Sequence, residues 1–246
     1  MNLYLKNSTL INNMDKVCFI ITGLITEMYI KNLILVYKNI NNKIISTWKD
    51  QDKNLLKILE ENNFHICLND PPQIMNQVNV QAVTIKAAAE KAAELGFTHV
   101  IRMRTDLITN DPVLLLNSIY TKLQNKLCSL GWVADQHGYI IDYIFAGPVK
   151  NIIQLFESLK SNDDNRFTEK FIQEEYFKKY GLSDNNSVTY ELVKTHFNFI
   201  YMELYNNNVT LTWIKTQYAH QYNDSGEIIH EFHKYLSDNY MWKLLL

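Results

Sequence analysis

Two guanidinium groups and a carboxylate stand at alternate positions in THVIRMRTDLITNDP, residues 98–112. The span His99–Leu107 has strand character, with Val100, Ile101, Met103 and Leu107 supplying apolar bulk. Residues two apart in a strand face the same side, so Arg102, Arg104 and Asp106 are expected together near its carboxyl end. A helix-covered strand is normally apolar, because an unpaired buried ion costs roughly several kcal/mol. Two arrangements answer the difficulty. In one, the face opens into a polar cleft where the two guanidinium forks match the oxygens of a diphosphate. Asp106 would then accept from a sugar hydroxyl or hold a divalent ion. In the other, the three charges neutralise one another as an internal salt bridge to a neighbouring strand.

Polar residues also close the other expected strands. Thr22-Gly23 ends the apolar run Val17–Ile21, and glycine there lets backbone approach a ligand closely. The stretch ITGLIT lacks the GxGxxG spacing of dinucleotide folds. Ser46-Thr47-Trp48 ends a second strand, where Trp48 either stacks on a base or caps the core. The run Asn76–Gln81 opens an Ala-rich helix. Asn76 or Asn79 fits the N-cap role, and amides at a helix N-terminus, Asn79 and Gln81 here, also suit phosphate and sugar hydroxyls. Asp142, in DYIFAGP, falls in a short apolar strand, where it either caps a turn or projects into the same cleft as a base. Of Glu174 and Glu175 on a late helix, at least one must be solvated. Asp50 and Asp52 make a formal DxD, but Asp52 is better placed as a helix N-cap. His230 and His233 have helical i,i+3 spacing without a third zinc ligand nearby.

These residues need elements to hold them. The first half alternates strand and helix: strands at Val17–Ile21, Lys43–Thr47, His65–Leu68 and His99–Leu107, with helices at Glu27–Tyr37, Asp52–Asn62 and Val78–Leu95 between them. Gly96 stands at the C′ position of the last helix. Such alternation predicts a mostly parallel sheet flanked by helices, and ligands of open parallel sheets bind at the carboxyl ends of strands where the order reverses. Further on, the pattern predicts a helix at Pro112–Leu123 and strands at Leu127–Val133 and Tyr139–Phe145. Helices follow at Val149–Lys160, Thr168–Tyr180 and Ser187–Tyr205, then a strand at Val209–Lys215 and a final helix from Glu231 to Leu246. No repeat and no Pro-, Gly- or Ser-rich linker divides the chain, so one α/β domain over 1–246 is expected, more helical toward its C-terminus.

Composition narrows the function classes. At 246 residues, 47% hydrophobic and 20% charged, the chain is large enough to bury a full core, and its net charge of −2 provides no basic surplus for nucleic acid. Cys18, Cys67 and Cys128 are too widely spaced for a zinc site and too few for a disulfide framework, which fits reduced thiols in a cytoplasmic compartment. Met1–Lys16 lacks the apolar core of a signal peptide, and Val17–Tyr37 is interrupted by Glu27, Lys31 and Asn32. A cytoplasmic location is expected on that basis. The aromatic tail FHKYLSDNYMWKLLL leaves core packing or peripheral contact with a membrane surface open.

An apolar strand ending in TG, then ISTW, then N-x-N-x-Q opening a helix that stops at Gly, then RMRTD, then DYIFAGP: over residues 15–180 this order resembles the WavE-type lipopolysaccharide synthesis proteins, glycosyltransferases with a GT-A-like nucleotide-sugar-binding fold. The resemblance implies a transferase that takes a sugar from a nucleotide-sugar donor to a glycan or lipid-linked glycan acceptor, such as lipopolysaccharide or capsule, at the inner face of the membrane. It implies Asp106 as the donor-site acid, with Arg102 and Arg104 near the diphosphate. The donor site would also take Thr22, Gly23, Ser46, Trp48, Asn79 and Gln81. Asp142 would be an acceptor-side base, and Glu174 would stand where such proteins carry a Pro-Glu pair, here with Gln173 in place of the Pro. Arg104 also occupies the first Asp position of the family's DxD. The cofactor expectation is therefore Mg2+ or Mn2+ at Asp106, or arginine charge in its place. A non-catalytic nucleotide- or glycan-binding subunit of an assembly complex is the alternative.

Overall fold

The computed structural model describes residues 15–123, 125–133, 138–157, 168–182 and 188–213. Three strands form its centre: Val17–Thr22 (β1) and Lys43–Trp48 (β2), both fully buried, and His99–Arg104 (β4), buried except at its two end residues, with His65–Asn69 (β3) at one edge. Alternating residues of β1 and β4 serve two different cores. Phe19, Ile21, Ile101 and Met103 face one side, while Cys18, Ile20 and Val100 face the other.

The helices that cover these faces begin and end where their sequences dictate. Glu27–Tyr37 (α1) is capped by Thr26, and Lys53–Glu61 (α2) by Asp52, whose carboxylate accepts from the Asn54 amide at 2.7 Å. Gln77–Glu94 (α3) is capped by Asn76, which accepts from the Asn79 amide at 2.9 Å, and it stops before Gly96 at φ +85°. α1 and Pro112–Ile119 (α4) lie over the first face, joined by Tyr201–Asn206 (α8). α3, Val149–Phe156 (α5), Thr168–Lys178 (α6) and Tyr190–His196 (α7) lie over the second.

The seven-stranded sheet has the order β10-β6-β9-β4-β1-β2-β3, where β6 is Leu127–Ser129, β9 is Phe145–Pro148 and β10 is Phe197–Phe199. Four of its six pairings are parallel, and only β9 runs against the rest. The fold is thus the expected helix-flanked, mostly parallel α/β sheet. The chain moves outward from β1 through β2 to β3, then returns through α3 to place β4 on the other side of β1. This reversal puts the carboxyl ends of β1 and β4 side by side, with Thr22 opposite Arg104. Open sheets bind their ligands at such a switch point.

Four expected elements divide. The strand His99–Leu107 ends at Arg104, turns at Thr105-Asp106, and continues as Leu107–Thr109 (β5) in a separate ribbon with Leu211–Trp213 (β11). The turn folds the Asp106 carboxylate back onto Arg104. Leu127–Val133 breaks after Ser129, whose hydroxyl donates to the Ile141 carbonyl at 2.7 Å, and resumes as Trp132–Val133 (β7). Tyr139–Phe145 is likewise two strands, Tyr139–Ile140 (β8) paired with β7, and β9. Asp142 lies in the connection between them and not in a strand. Ser187–Tyr205 is α7, then β10, then α8; Phe197 and Phe199 extend the sheet beside β6. The expected helix at Glu231–Leu246, the ends of Val149–Lys160 and Val209–Lys215, and the His230/His233 pair lie outside the described residues.

Among the described residues no helix is long and apolar enough to cross a membrane. Cys18 and Cys128 are buried free thiols, pushed up to about 12 by that burial, which makes them inert at neutral pH.

Candidate functional site

A cavity of about 200 Å3 opens at the switch point. Its walls are the ends of β1 and β4, and its floor is one stripe of α3: Gln77, Val80, Gln81 and Thr84, positions that share a helix face. Thr22 and Gly23 come from β1, Arg102 and Arg104 from β4, and Thr105 and Asp106 from the turn beyond. Gly23 sits at φ +139°, and a Cβ there would lie 2.5 Å from Thr105 Oγ1, so glycine is what allows the two strand ends to approach.

Arg102 is 2% exposed, yet it is charged, because three acceptors converge on it. Nε donates to Thr22 Oγ1 at 3.4 Å, Nη2 to Gln81 Oε1 at 3.4 Å, and Nη1 to the backbone oxygen of Asp142. Burial lowers its basicity to about 10, with the Asp142 charge opposing, so it remains protonated at neutral pH. Gln81 bridges: its Nε2 donates to Asp142 Oδ2 at 2.8 Å while its Oε1 accepts from the arginine. Arg104 meets Asp106 as a fork, Nε to Oδ1 and Nη2 to Oδ2, both at 2.8 Å, with each side chain 24% exposed. Burial pulls Arg104 down, but the hydrogen bonds and charge of Asp106 outweigh it and hold the guanidinium above its ordinary range.

Both arrangements posed by the sequence are therefore present in part. Arg104 and Asp106 do neutralise each other, and the face they share with Arg102 does open into a cleft. Of the residues expected on the donor side, Thr22, Gly23, Gln81, Arg102, Arg104 and Asp106 line it. Ser46, Trp48 and Asn79 do not. Ser46 is fully buried and accepts from Asn69 Nδ2 at 2.8 Å, Trp48 is 5% exposed in the core, and Asn79 Nδ2 donates to the Ile74 carbonyl at 3.1 Å. Asp142 is 1% exposed and stands behind the cleft, reaching it only through Gln81 and Arg102. Glu174 forms an i,i+4 pair with Lys178 at 3.7 Å and does not line the cavity.

The donor set does not suit a divalent ion. Both oxygens of Asp106 accept from Arg104, and among the described residues no three His, Cys, Asp or Glu side chains converge. Positive charge in the cleft comes from guanidinium groups.

Several site residues carried no warning in the sequence pattern. Tyr29 and Leu24 reach the cleft from the loop and helix after β1. Gln77 and Thr84 could have been found from Gln81, since they lie one turn either side of it. Glu169, in the first turn of α6, is half-buried; burial first, then the Asp142 charge, pushes its carboxyl up to about 8. Tyr143 is raised by burial and by the same carboxylate.

No family model matches the chain, and no curated protein matches its sequence. Solved structures match its shape at low identity. The 4-diphosphocytidyl-2C-methyl-D-erythritol synthase of Anaerococcus prevotii is 16% identical with a TM-score of 0.43, over 70% of this chain and 86% of its own. The mannose-1-phosphate geranyltransferase of Thermus thermophilus is 9% identical with a TM-score of 0.39, over 70% and 67%. Likeness at this level is a general similarity of sheet and helix arrangement and carries nothing about activity.

Proposed function

We propose that the protein is a nucleotide-sugar-dependent glycosyltransferase acting on a surface-glycan acceptor, of the kind found in lipopolysaccharide or capsule. The observation that carries this reading is the placement of two guanidinium groups in a cleft at the switch point of a parallel sheet. Guanidinium groups fit phosphate oxygens, and a departing nucleoside diphosphate needs positive charge where its own develops; Arg104, forked to Asp106, would share its donors with the ligand. Gly23 admits the ligand close to backbone, and the Gln77 and Gln81 amides at the start of α3 supply polar contacts for phosphate or sugar hydroxyls. The arginines do this without a metal ion in the scheme.

A second reading has a specific observation behind it. Asp142 and Glu174, the two carboxylates expected on the acceptor side, stand outside the cleft. A nucleotide- or glycan-binding subunit without turnover would have the same cleft and no base in it.

A thermal-shift screen of nucleoside diphosphates and nucleotide sugars, with and without Mn2+, tests the common core of both readings. A ligand at ~100 times its dissociation constant adds about 2.7 kcal/mol, which for a chain of this size is a rise of about 5–10 °C. The expected result is a rise with one nucleobase, lost in Arg104→Ala and insensitive to Mn2+. No rise with any nucleotide sinks both readings. Slow release of free nucleotide from the stabilising nucleotide sugar is expected of the transferase; stabilisation without release turns the assignment to the binding subunit.

A further inference from the structure

The two arginines of the cleft are held in different ways. Arg102 meets three uncharged acceptors on three separate segments: Thr22 Oγ1 on β1, Gln81 Oε1 on α3 and the backbone oxygen of Asp142. Arg104 instead gives Nε and Nη2 to one carboxylate, Asp106, at 2.8 Å each, and both of these residues line the cavity. A carboxylate meets a guanidinium fork with two oxygens side by side, as a phosphate does. Asp106 thus fills, from within the chain, the place that a pair of phosphate oxygens would take on Arg104.

The carboxylate can leave the fork without refolding. On one side of it the Thr105 amide donates to the Thr22 carbonyl at 3.1 Å, and on the other Leu107 opens β5, which is paired with β11. The backbone either side of Asp106 is therefore fixed, and a change of one side-chain rotamer separates the pair. Asp106 is partly exposed, so water is at hand to solvate the released carboxylate. Arg102, by contrast, is 2% exposed, and its acceptors belong to the sheet, α3 and the chain behind the cleft. It stays in place as the standing charge of the site.

We infer that Asp106 is an internal competitor for Arg104: at rest its carboxylate occupies the guanidinium fork, and an anionic ligand binds by taking that fork over. The contact is autoinhibitory, and it also selects. An incoming carboxylate would only exchange one such pair for its equal, whereas a diphosphate brings more negative charge, with oxygens to spare for a second guanidinium. The class of ligand rests on the nucleotide reading of the cleft; the competition rests on the fork and its place in the cavity wall.

The test compares wild type with Asp106→Asn, whose amide keeps the size of the carboxylate and one acceptor but not the charge. Binding of inorganic pyrophosphate, UDP, GDP, CDP and ADP is measured by calorimetry at neutral pH, with and without Mn2+. The variant is expected to bind its probe about tenfold more tightly, the worth of one charge-assisted bond no longer contested, while melting at a lower temperature when free. A purely structural ion pair would lose affinity together with stability. Unchanged or weaker binding by the variant, with or without Mn2+, overturns the inference. Tighter binding of pyrophosphate with no binding of any nucleoside diphosphate keeps the competition and overturns the nucleotide reading. No binding of any probe to either protein overturns both. Should Asp106→Asn fail to fold, nuclear magnetic resonance of wild type with isotope-labelled aspartate carboxyl groups decides. As pyrophosphate saturates the protein, one carboxyl signal must move toward that of solvated aspartate, and saturation without that movement overturns the inference.

Discussion

At the scale of single residues, the site is a set of charges that tolerate burial only because each has a partner. Glu169 strains that balance, and its sign can be worked out. An ordinary carboxyl ionises near 4.5 and the folded one near 8, so between these values the folded protein holds a proton that the unfolded chain has lost. The contribution of Glu169 to stability is therefore greatest below about 4.5, falls as pH rises to about 8, and is flat beyond. Glu169→Gln removes that slope. Relative to wild type it is expected to gain roughly 2–5 kcal/mol between acid and mildly alkaline pH, read from urea midpoints at the two ends; parallel pH profiles would show that the carboxyl is not protonated in the folded state. Asp106 is the converse case. Asp106→Ala leaves Arg104 without its fork, in a place three-quarters shielded from water, and a loss of about 1–3 kcal/mol is expected, between an exposed and a fully buried pair. An unchanged melting temperature would mean that the pair is solvated in solution. The spacing of Arg102, Arg104 and Asp106 made this cluster visible in the sequence, since period two needs no tertiary information. Nothing in the sequence pointed to Glu169, which lies twenty-seven positions from Asp142 in number and beside it only after α6 has docked.

At the scale of elements, caps and turns hold the strand ends where the cleft needs them. Asn76→Ala removes the acceptor for the Asn79 amide and is expected to cost about 1 kcal/mol, measured by chemical denaturation, with the start of α3 fraying beside the cleft. Gly23→Ala meets two obstacles, a positive φ and the Thr105 hydroxyl at 2.5 Å from the new Cβ. A loss of about 1–3 kcal/mol is expected. The Thr105→Ala background should recover only part of it, because it relieves the contact and leaves the backbone cost; full recovery would assign the whole effect to the contact. The caps Asp52 and Asn76 and the stop at Gly96 were legible because they are local chemistry. The breaks at Thr105, at Leu130-Gly131 and within Ser187–Tyr205 were not. A two- or three-residue strand has no periodicity to detect, and its pairing depends on residues far away in the chain, as β10 beside β6 and the Ser129 hydroxyl on the Ile141 carbonyl show.

At the scale of the whole molecule, two cores share one sheet. Phe19 belongs to the core under α1 and α4, Phe145 to the core under α3 and α5. Phe19→Ala and Phe145→Ala are each expected to cost about 3–5 kcal/mol. Because β1 and β4 carry side chains into both cores, either substitution should lower a single transition seen alike by far- and near-ultraviolet circular dichroism; two separated transitions would show two folding units in place of one. The sequence by itself determined the alternation of strand and helix, the parallel sheet and the charged end of β4, because these follow from local periodicity and from which side chains water rejects. Tertiary structure alone decided that β4 returns beside β1 and that Trp48 and Ser46 are core. It also decided that Asp142 stands behind Arg102 with Glu169 near it. Those outcomes depend on which distant surfaces pack together, and no local pattern encodes the partner of a buried charge.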